Sequence, residues 1–427
     1  MMRETIKASF VLVFALVLLV LSCARDKTPL GPAEGPAVCP QQDIPWPSLA
    51  NSPWPMYRHD PQLTGRSPYT GPRRGRIRWT FTTEPLGLIY PGIVIGPDGT
   101  IYFMSNCENF PGGQRGALYA VSPDGELRWR YYFEEAWPAD TPIVLADGGI
   151  LVTSLRPCII NPDGTLRKQW SALAWSPINI GADGTLYFVD PEGYLCAMTQ
   201  AGCVVWRLLA DGGFTREGVT VSPSGDMLYA FTNVTLRSRE KQSLCAVGLD
   251  GTVRWKFELG ESRETYSAPV VDAQGSAIFC ALGPDSAPDR GVTLVSREGR
   301  LVWRYQVSGA GEEAAIGRQG DFFLECDLEA TRALVCLDCL GRPRWAYPLG
   351  RYQSKAAPIC DREGVTYLCR GEEVIAVGPA GTPLWSVPLE AGITRIAGPA
   401  IGSDGTLYVG TVPGQGGPAS GRIYAIE

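Results

Sequence analysis

A glycine followed four residues later by a tryptophan occurs seven times in this chain, as Gly75/Trp79, Gly125/Trp129, Gly202/Trp206, Gly251/Trp255, Gly299/Trp303, Gly341/Trp345 and Gly381/Trp385. Gly164/Trp170 is an eighth copy, stretched by two residues. Successive tryptophans stand roughly 36 to 50 residues apart, within reach of the 40 to 50 expected for one four-stranded propeller blade. One such unit cannot bury its own apolar face, so copies must stack on one another.

A second phrase supplies the turns. GPDGTIYF (Gly96 to Phe103) returns as GADGTLYF (Gly181 to Phe188) and GSDGTLYV (Gly402 to Val409). Proline and aspartate suit the central positions of a type I turn, and glycine takes the left-handed φ that closes it. The Thr-Ile/Leu-Tyr run that follows is strand-forming. Within Ala174 to Trp206 four strands can be read: Ser176 to Gly181, Thr185 to Asp190, Gly193 to Met198 and Cys203 to Trp206. Six first strands open with proline, at Pro91, Pro142, Pro177, Pro269, Pro358 and Pro399. That suits an innermost strand with a free edge on a central channel, whereas a β-sandwich does not explain a regular four-strand unit ending in tryptophan.

The chain stops after a third strand, GRIYAIE (Gly421 to Glu427), while GRIRWTF (Gly75 to Phe81) is a fourth strand with no blade before it. The expected fold is therefore all-β: an eight-bladed β-propeller of four-stranded antiparallel blades over residues 54–427, its ring closed by the N-terminal strand, which removes two sheet edges.

The LYAVSPDGELRW-type repeat, together with the lead-in segment WPMYRHDPQLTGRS (Trp54 to Ser67), resembles the PQQ-like β-propeller repeat proteins. This group includes the quinoprotein dehydrogenases and the BamB-type lipoproteins of outer-membrane barrel assembly. The resemblance covers about Trp54 to Glu427. It implies that Trp79, Trp129, Trp170, Trp206, Trp255, Trp303, Trp345 and Trp385 dock blade against blade, in enzymes and non-enzymes alike. Here Asp-Gly stands where the quinoproteins more often have Thr-Gly.

The first residues set the expected compartment. Arg3 and Lys7 precede an apolar run from Ala8 to Leu21, short for a membrane span but suited to a signal peptide over residues 1–22. Val20-Leu21-Ser22-Cys23 resembles a lipobox with its leucine displaced by one position, which marks Cys23 for diacylation. The plainer alternative is an ordinary signal peptide with an incidental cysteine. Ala24 to Pro55 holds eight prolines, so residues 23–53 read as an extended tether. The absence of aspartate after Cys23 favours, by resemblance, the outer membrane. Without Arg3, Lys7 and Glu4 the basic residues number 38 − 2 and the acidic 44 − 1, a net charge of −7. With no lysine or arginine block, nucleic acid is excluded as a partner.

Catalytic signals are sparse. Twelve cysteines besides Cys23 occupy a compartment that permits disulfides, and several, such as Cys196, Cys245, Cys280 and Cys369, replace apolar strand residues. Cys336-x-x-Cys339 has no second pair to complete a zinc site, and disulfide connectivity cannot be deduced. His59 is the chain's only histidine and is expected to latch the lead-in segment onto the propeller rim. The Asp-Gly aspartates satisfy turn backbone, and the D-x-D-x-D-G calcium spacing is absent. No catalytic, cofactor or metal residue is assigned.

Three functions remain. The first is a non-enzymatic lipoprotein acting as a protein-interaction scaffold in the envelope, a monomeric propeller. The second is a PQQ-dependent oxidoreductase; resemblance implies that such an enzyme carries a vicinal disulfide, a tryptophan beneath the cofactor and calcium ligands, and this chain has no adjacent cysteines. The third is a binder of a glycan or small ligand. The crossings before the inner strands gather polar and aromatic residues expected at the channel mouth: Tyr90, Asp140, Trp175, Arg216, Glu217, Arg263, Glu264, Tyr266, Glu312, Glu313, Lys355 and Arg395. Charge and aromatic residues in a concavity suit recognition.

Overall fold

The computed structural model describes residues 35–85, 87–110, 113–134, 140–152, 156–210, 212–232, 242–259, 265, 267–281, 290–307, 309, 311, 313–328, 331–350, 357–390, 393–413 and 420–427. Among them every regular element is a strand. The fold is all-β, built of repeated four-stranded antiparallel sheets, and consistent with a propeller.

The lone strand β1 (Ile77–Thr82) precedes the first repeat, β2 (Leu88–Ile95), β3 (Ile101–Phe110), β4 (Gly113–Val121) and β5 (Leu127–Tyr132). The second repeat is β6 (Ile143–Val144), β7 (Ile150–Val152), β8 (Cys158–Ile160) and β9 (Leu166–Gln169), and the third is β10 (Asn179–Ile180), β11 (Leu186–Val189), β12 (Leu195–Met198) and β13 (Val204–Leu208). The fourth holds β14 (Thr220–Val221), β15 (Met227–Phe231), β16 (Ser243–Gly248) and β17 (Val253–Glu258), the fifth β18 (Val270–Val271), β19 (Ala277–Ala281), β20 (Gly291–Val295) and β21 (Leu301–Tyr305). The sixth is β22 (Ala315–Ile316), β23 (Phe322–Leu328), β24 (Thr331–Leu337) and β25 (Pro343–Gly350), the seventh β26 (Ile359–Cys360), β27 (Thr366–Arg370), β28 (Glu373–Val377) and β29 (Pro383–Pro388). Finally, β30 (Ile393–Ile401), β31 (Leu407–Pro413) and β32 (Arg422–Ile426) pair in order, and β1 pairs antiparallel with β32. This last group and the first are joined by a single parallel bridge, Gly92 to Gly398.

The hairpin chemistry follows the residues. In the first Asp-Gly turn Gly96 N donates to Thr100 O (2.8 Å) and Asp98 Oδ1 accepts from Thr100 N (3.0 Å). Gly99 supplies the left-handed φ of 79° that a side chain would resist. The second and third strands of each repeat lie between neighbouring sheets and are buried on both faces, hence their unbroken apolar runs; outer strands alternate, as in β17.

In most repeats the outer strand carries a register shift beside the tryptophan, for example between Ala246/Val247 opposite Trp255. The bulge twists the strand end and aims the indole at the next sheet. There each ring covers the turn glycine of its neighbour: Trp79 lies on Gly125, Trp129 on Gly164, Trp170 on Gly202, Trp206 on Gly251, Trp255 on Gly299, Trp303 on Gly341, Trp345 on Gly381 and Trp385 on Gly75. A Cβ at any of these glycines would stand 2.5–2.9 Å from the ring, so no other residue fits without displacing it. Each indole N–H also donates to a backbone carbonyl of that turn, from Trp79 to Pro123 (2.9 Å) through to Trp385 to Pro72 (3.0 Å). The eight contacts run in one cycle, and the last returns to the residues just before β1.

One expectation is corrected. Residues 35–53, read as part of an extended tether, lie along the face formed by the turns between first and second strands. Cys39 N donates to Gln319 O (2.8 Å), Gln41 N to Arg318 O (2.8 Å), Trp46 Nε1 to Ile180 O (2.9 Å) and Ala50 N to Val144 O (2.9 Å). Cys39 is bonded to Cys339 across a sequence separation of 300 residues. The prolines there favour extended backbone, and extended backbone wraps a rim as readily as it spans a gap.

Candidate functional site

The lead-in segment turns back along the ends of the inner strands and bonds to one after another. Ile95 N donates to Trp54 O (2.8 Å), Val144 N to Pro55 O (2.7 Å), Val221 N to Pro61 O (3.1 Å), Val271 N to Gln62 O (2.9 Å), Ile316 N to Thr64 O (2.9 Å) and Cys360 N to Gly65 O (2.8 Å). Strand-end N–H groups that would otherwise face the channel are thereby satisfied. Residues 54–67 thus form a floor across the turn-side ends of the inner strands. Arg58, His59 and Leu63 hold positive φ values of 54°, 81° and 59°. Such conformations persist where surrounding bonds over-determine them.

Arg58 provides those bonds. Its buried guanidinium donates from Nε to Leu63 O (2.9 Å), from Nη1 to Pro358 O (3.3 Å) and from Nη2 to Ala314 O, and stands 3.4 Å from Glu313 Oε2. Tyr57 Oη donates to the same carboxylate oxygen (2.8 Å). Tyr57 fits because the inner strands are small at this level; a Cβ on Gly92 would meet Thr141 Oγ1 at 2.6 Å and the Tyr57 ring at 3.3 Å. Burial, reinforced by the Glu313 charge, pushes the Tyr57 hydroxyl well above its ordinary value. His59 packs edge-on against Trp54 (5.3 Å between centroids), with Nδ1 3.4 Å from Asp60 Oδ2. Burial would raise the Asp60 carboxyl, but bonds from His59 and Thr64 and the nearby Arg66 outweigh it and hold it below the ordinary value.

Of the residues expected at the channel mouth, Asp140, Trp175, Arg216, Glu217 and Glu313 have described side chains. Asp140 is 9% exposed, accepts from Thr141 N (2.6 Å), and is pushed up to about 7 by burial, with the Glu313 charge adding to the rise. Glu313 is a correction: it is a buried partner of Tyr57 and Arg58 in the channel, not an accessible mouth residue. Trp175 is 54% exposed, its N–H bonded to Val189 O (2.8 Å), and the exposed Arg216 side chain lies 3.9 Å from Glu217. Tyr90 and Arg395 lie on β2 and β30, with side chains outside the described residues. Arg263, Glu264, Tyr266, Glu312, Lys355 and Cys23 also lie outside them.

Tyr57 and Arg58 were not singled out as binding or catalytic residues. An arginine between an aromatic and a histidine in a proline-rich stretch gives no pattern that separates a buried side chain from a solvated one. The C-x-x-C pair is divided, with Cys336 buried on β24 and Cys339 in the disulfide. Among the described residues no group of three or more His, Cys, Asp or Glu is placed to hold a metal ion.

Residues 158–337 match the family described as "Outer membrane protein assembly factor BamB". This stretch is PQQ-like propeller repeat. Solved structures extend a likeness of fold over most of the chain. A "Europium-containing methanol dehydrogenase" superposes with a TM-score of 0.63 at 14% identity, covering 88% of this chain and 98% of that one. BamB from Moraxella catarrhalis superposes with a TM-score of 0.55 at 11% identity, covering 81% and 97%. At these identities the likeness is one of fold, and the fold hosts both an enzyme and an assembly factor. No curated protein sequence matches the chain.

Proposed function

We propose that this chain is a lipid-anchored protein of the cell envelope, held at the outer membrane through Cys23, whose PQQ-like propeller is a scaffold for envelope protein partners and not an enzyme. In this reading the propeller has eight blades, and β1 closes the ring. The tryptophan cycle that returns from Trp385 to Gly75 supports the closure. The Cys39–Cys339 disulfide supports an oxidising compartment. The match of residues 158–337 to an assembly-factor family supports the envelope role.

One observation carries the scaffold reading. The polar side chains at the channel floor are engaged in holding the lead-in segment, as Arg58 shows with its carbonyl acceptors and Glu313. A guanidinium stays protonated at any working pH, so in this network Arg58 holds the segment in place and does not serve as a proton acceptor. The surface left for recognition is the face of strand crossings, where Trp175 and Arg216 are exposed.

The test has two arms. Purified protein titrated with PQQ and calcium should show no saturable cofactor spectrum and no alcohol- or sugar-dependent dye reduction; turnover would establish the oxidoreductase instead. Arg216→Glu should weaken capture of envelope partners without lowering the thermal midpoint, and unchanged capture would move the binding surface elsewhere.

A further inference from the structure

The path of residues 35–67 fixes where the chain leaves the propeller. From Cys39 it bonds to the sixth repeat at Gln319, to the fifth where Ala273 N donates to Gln41 Oε1 (2.7 Å), to the third where Ser48 Oγ donates to Gly181 O (2.7 Å), and to the second where Ala146 N donates to Ser48 O (3.0 Å). It reaches the first where Ser52 Oγ donates to Ile95 O (2.6 Å), then reverses across the floor. All these contacts lie at the turns that join first to second strands, three of them Asp-Gly turns, on one face. Antiparallel strands put the crossings and the second-to-third-strand turns on the other.

We infer that the Asp-Gly turn face of the propeller is the membrane-proximal face, opposed to a lipid surface, and that the crossing face points into the aqueous space. The inference rests on the proposed anchor at Cys23. Ala37 N is bonded to Asp338 Oδ2 (3.2 Å) and Cys39 is covalently fixed two residues on, both at the turn face of the sixth repeat. Between Cys23 and Ala37 there are fourteen residue steps. At about 3.1 to 3.4 Å each they span no more than about 48 Å when fully extended. Turning the crossing face to the bilayer would require this chain to run around the propeller edge near its full length, at a large cost in conformational entropy. Several carboxylates of the turn face are matched by arginines of the outer strands, which lessens repulsion from an anionic bilayer: Asp98 by Arg128, Asp147 by Arg167 (2.6 Å) and Asp321 by Arg344 (2.6 Å).

A fluorescent coumarinyl amino acid placed at Ala182 or at Glu192 tests this. The two exposed positions flank β11 on opposite faces, about 20 to 25 Å apart along the strand direction. Full-length lipidated protein is bound to vesicles carrying rhodamine-headgroup acceptor lipids, and energy transfer is measured. In parallel, a form with hexahistidine preceding Ala24 is bound to nickel-chelating vesicles, so that orientation is read without native lipidation. Greater transfer from Ala182 than from Glu192 is expected in both. Greater transfer from Ala182 in the tagged form, with no vesicle binding by the native form, would uphold the orientation and overturn the lipid anchor. Equal transfer, or greater transfer from Glu192, in bound protein would overturn the orientation whether or not Cys23 carries lipid.

Discussion

Asp140 is a carboxyl whose ionisation the fold opposes, and Asp140→Asn isolates that opposition. The side chain ionises near 3.8 when unfolded and near 7 when folded, chiefly because it is buried and secondarily because Glu313 is close. The folded value is raised, so the stability that belongs to the protonated carboxyl is fully present below 3.8 and is lost as the pH climbs towards 7. The gap between the two values corresponds to about 4 kcal/mol, an upper bound since local relaxation reduces it. Asparagine keeps an oxygen to accept from Thr141 N and carries no charge. The variant should therefore match the wild type at pH 4 and exceed it increasingly to pH 8, by at most about 4 kcal/mol. Asp272, raised to about 6 by burial, slopes the same way in both proteins and cancels in the difference. Thermal unfolding followed by circular dichroism at pH 4, 5, 6, 7 and 8 provides the comparison. A constant offset between the two proteins, or an asparagine variant weakest at pH 8, would refute the reasoning.

The seam at β1 should be as strong as the others: Trp385→Ala, which loses its packing on Gly75 and the bond to Pro72, should cost about as much as Trp206→Ala, roughly 3 kcal/mol each by urea titration, and a negligible cost at Trp385 alone would count against closure. Replacing Cys39 and Cys339 by serine should lower stability by up to about 5 kcal/mol on the loop-closure argument and open residues 35–53 to limited proteolysis; unchanged digestion would mean that the backbone bonds suffice. Cys23→Ser should move the protein from the membrane to the soluble fraction, and sedimentation with membranes in high salt would contradict the lipid anchor.

The repeat was legible because its chemistry is local. Glycine at the turn, aspartate accepting from the amide two residues on and the bulge before tryptophan each act within ten residues, and the tryptophan meets the same turn one repeat along, so the sequence period carries them directly. The third repeat follows its reading closely, with β10 shortened to Asn179–Ile180 because only two residues reach the ladder before the turn. The strap and the channel floor were not legible. Residues 35–67 have no period, and their bonds join positions as far apart as the 300 residues between Cys39 and Cys339 or between Arg58 and Pro358, and the 301 between Ala37 and Asp338. Glu313 illustrates the same limit: its place before an inner strand marks it as a crossing residue, but only the floor segment decides that it is buried. Trp175 and Arg216 occupy comparable places and stay exposed because no such segment covers them.

In the proposed function, partners meet the crossing face of a membrane-anchored scaffold. A photo-crosslinking amino acid placed at Arg216 of the full-length lipidated protein, with Ala182 on the turn face as the reference, tests it in intact envelopes. A discrete adduct with an envelope protein is expected from Arg216 and none with that protein from Ala182. The same protein captured from Ala182 and absent from Arg216 would contradict it.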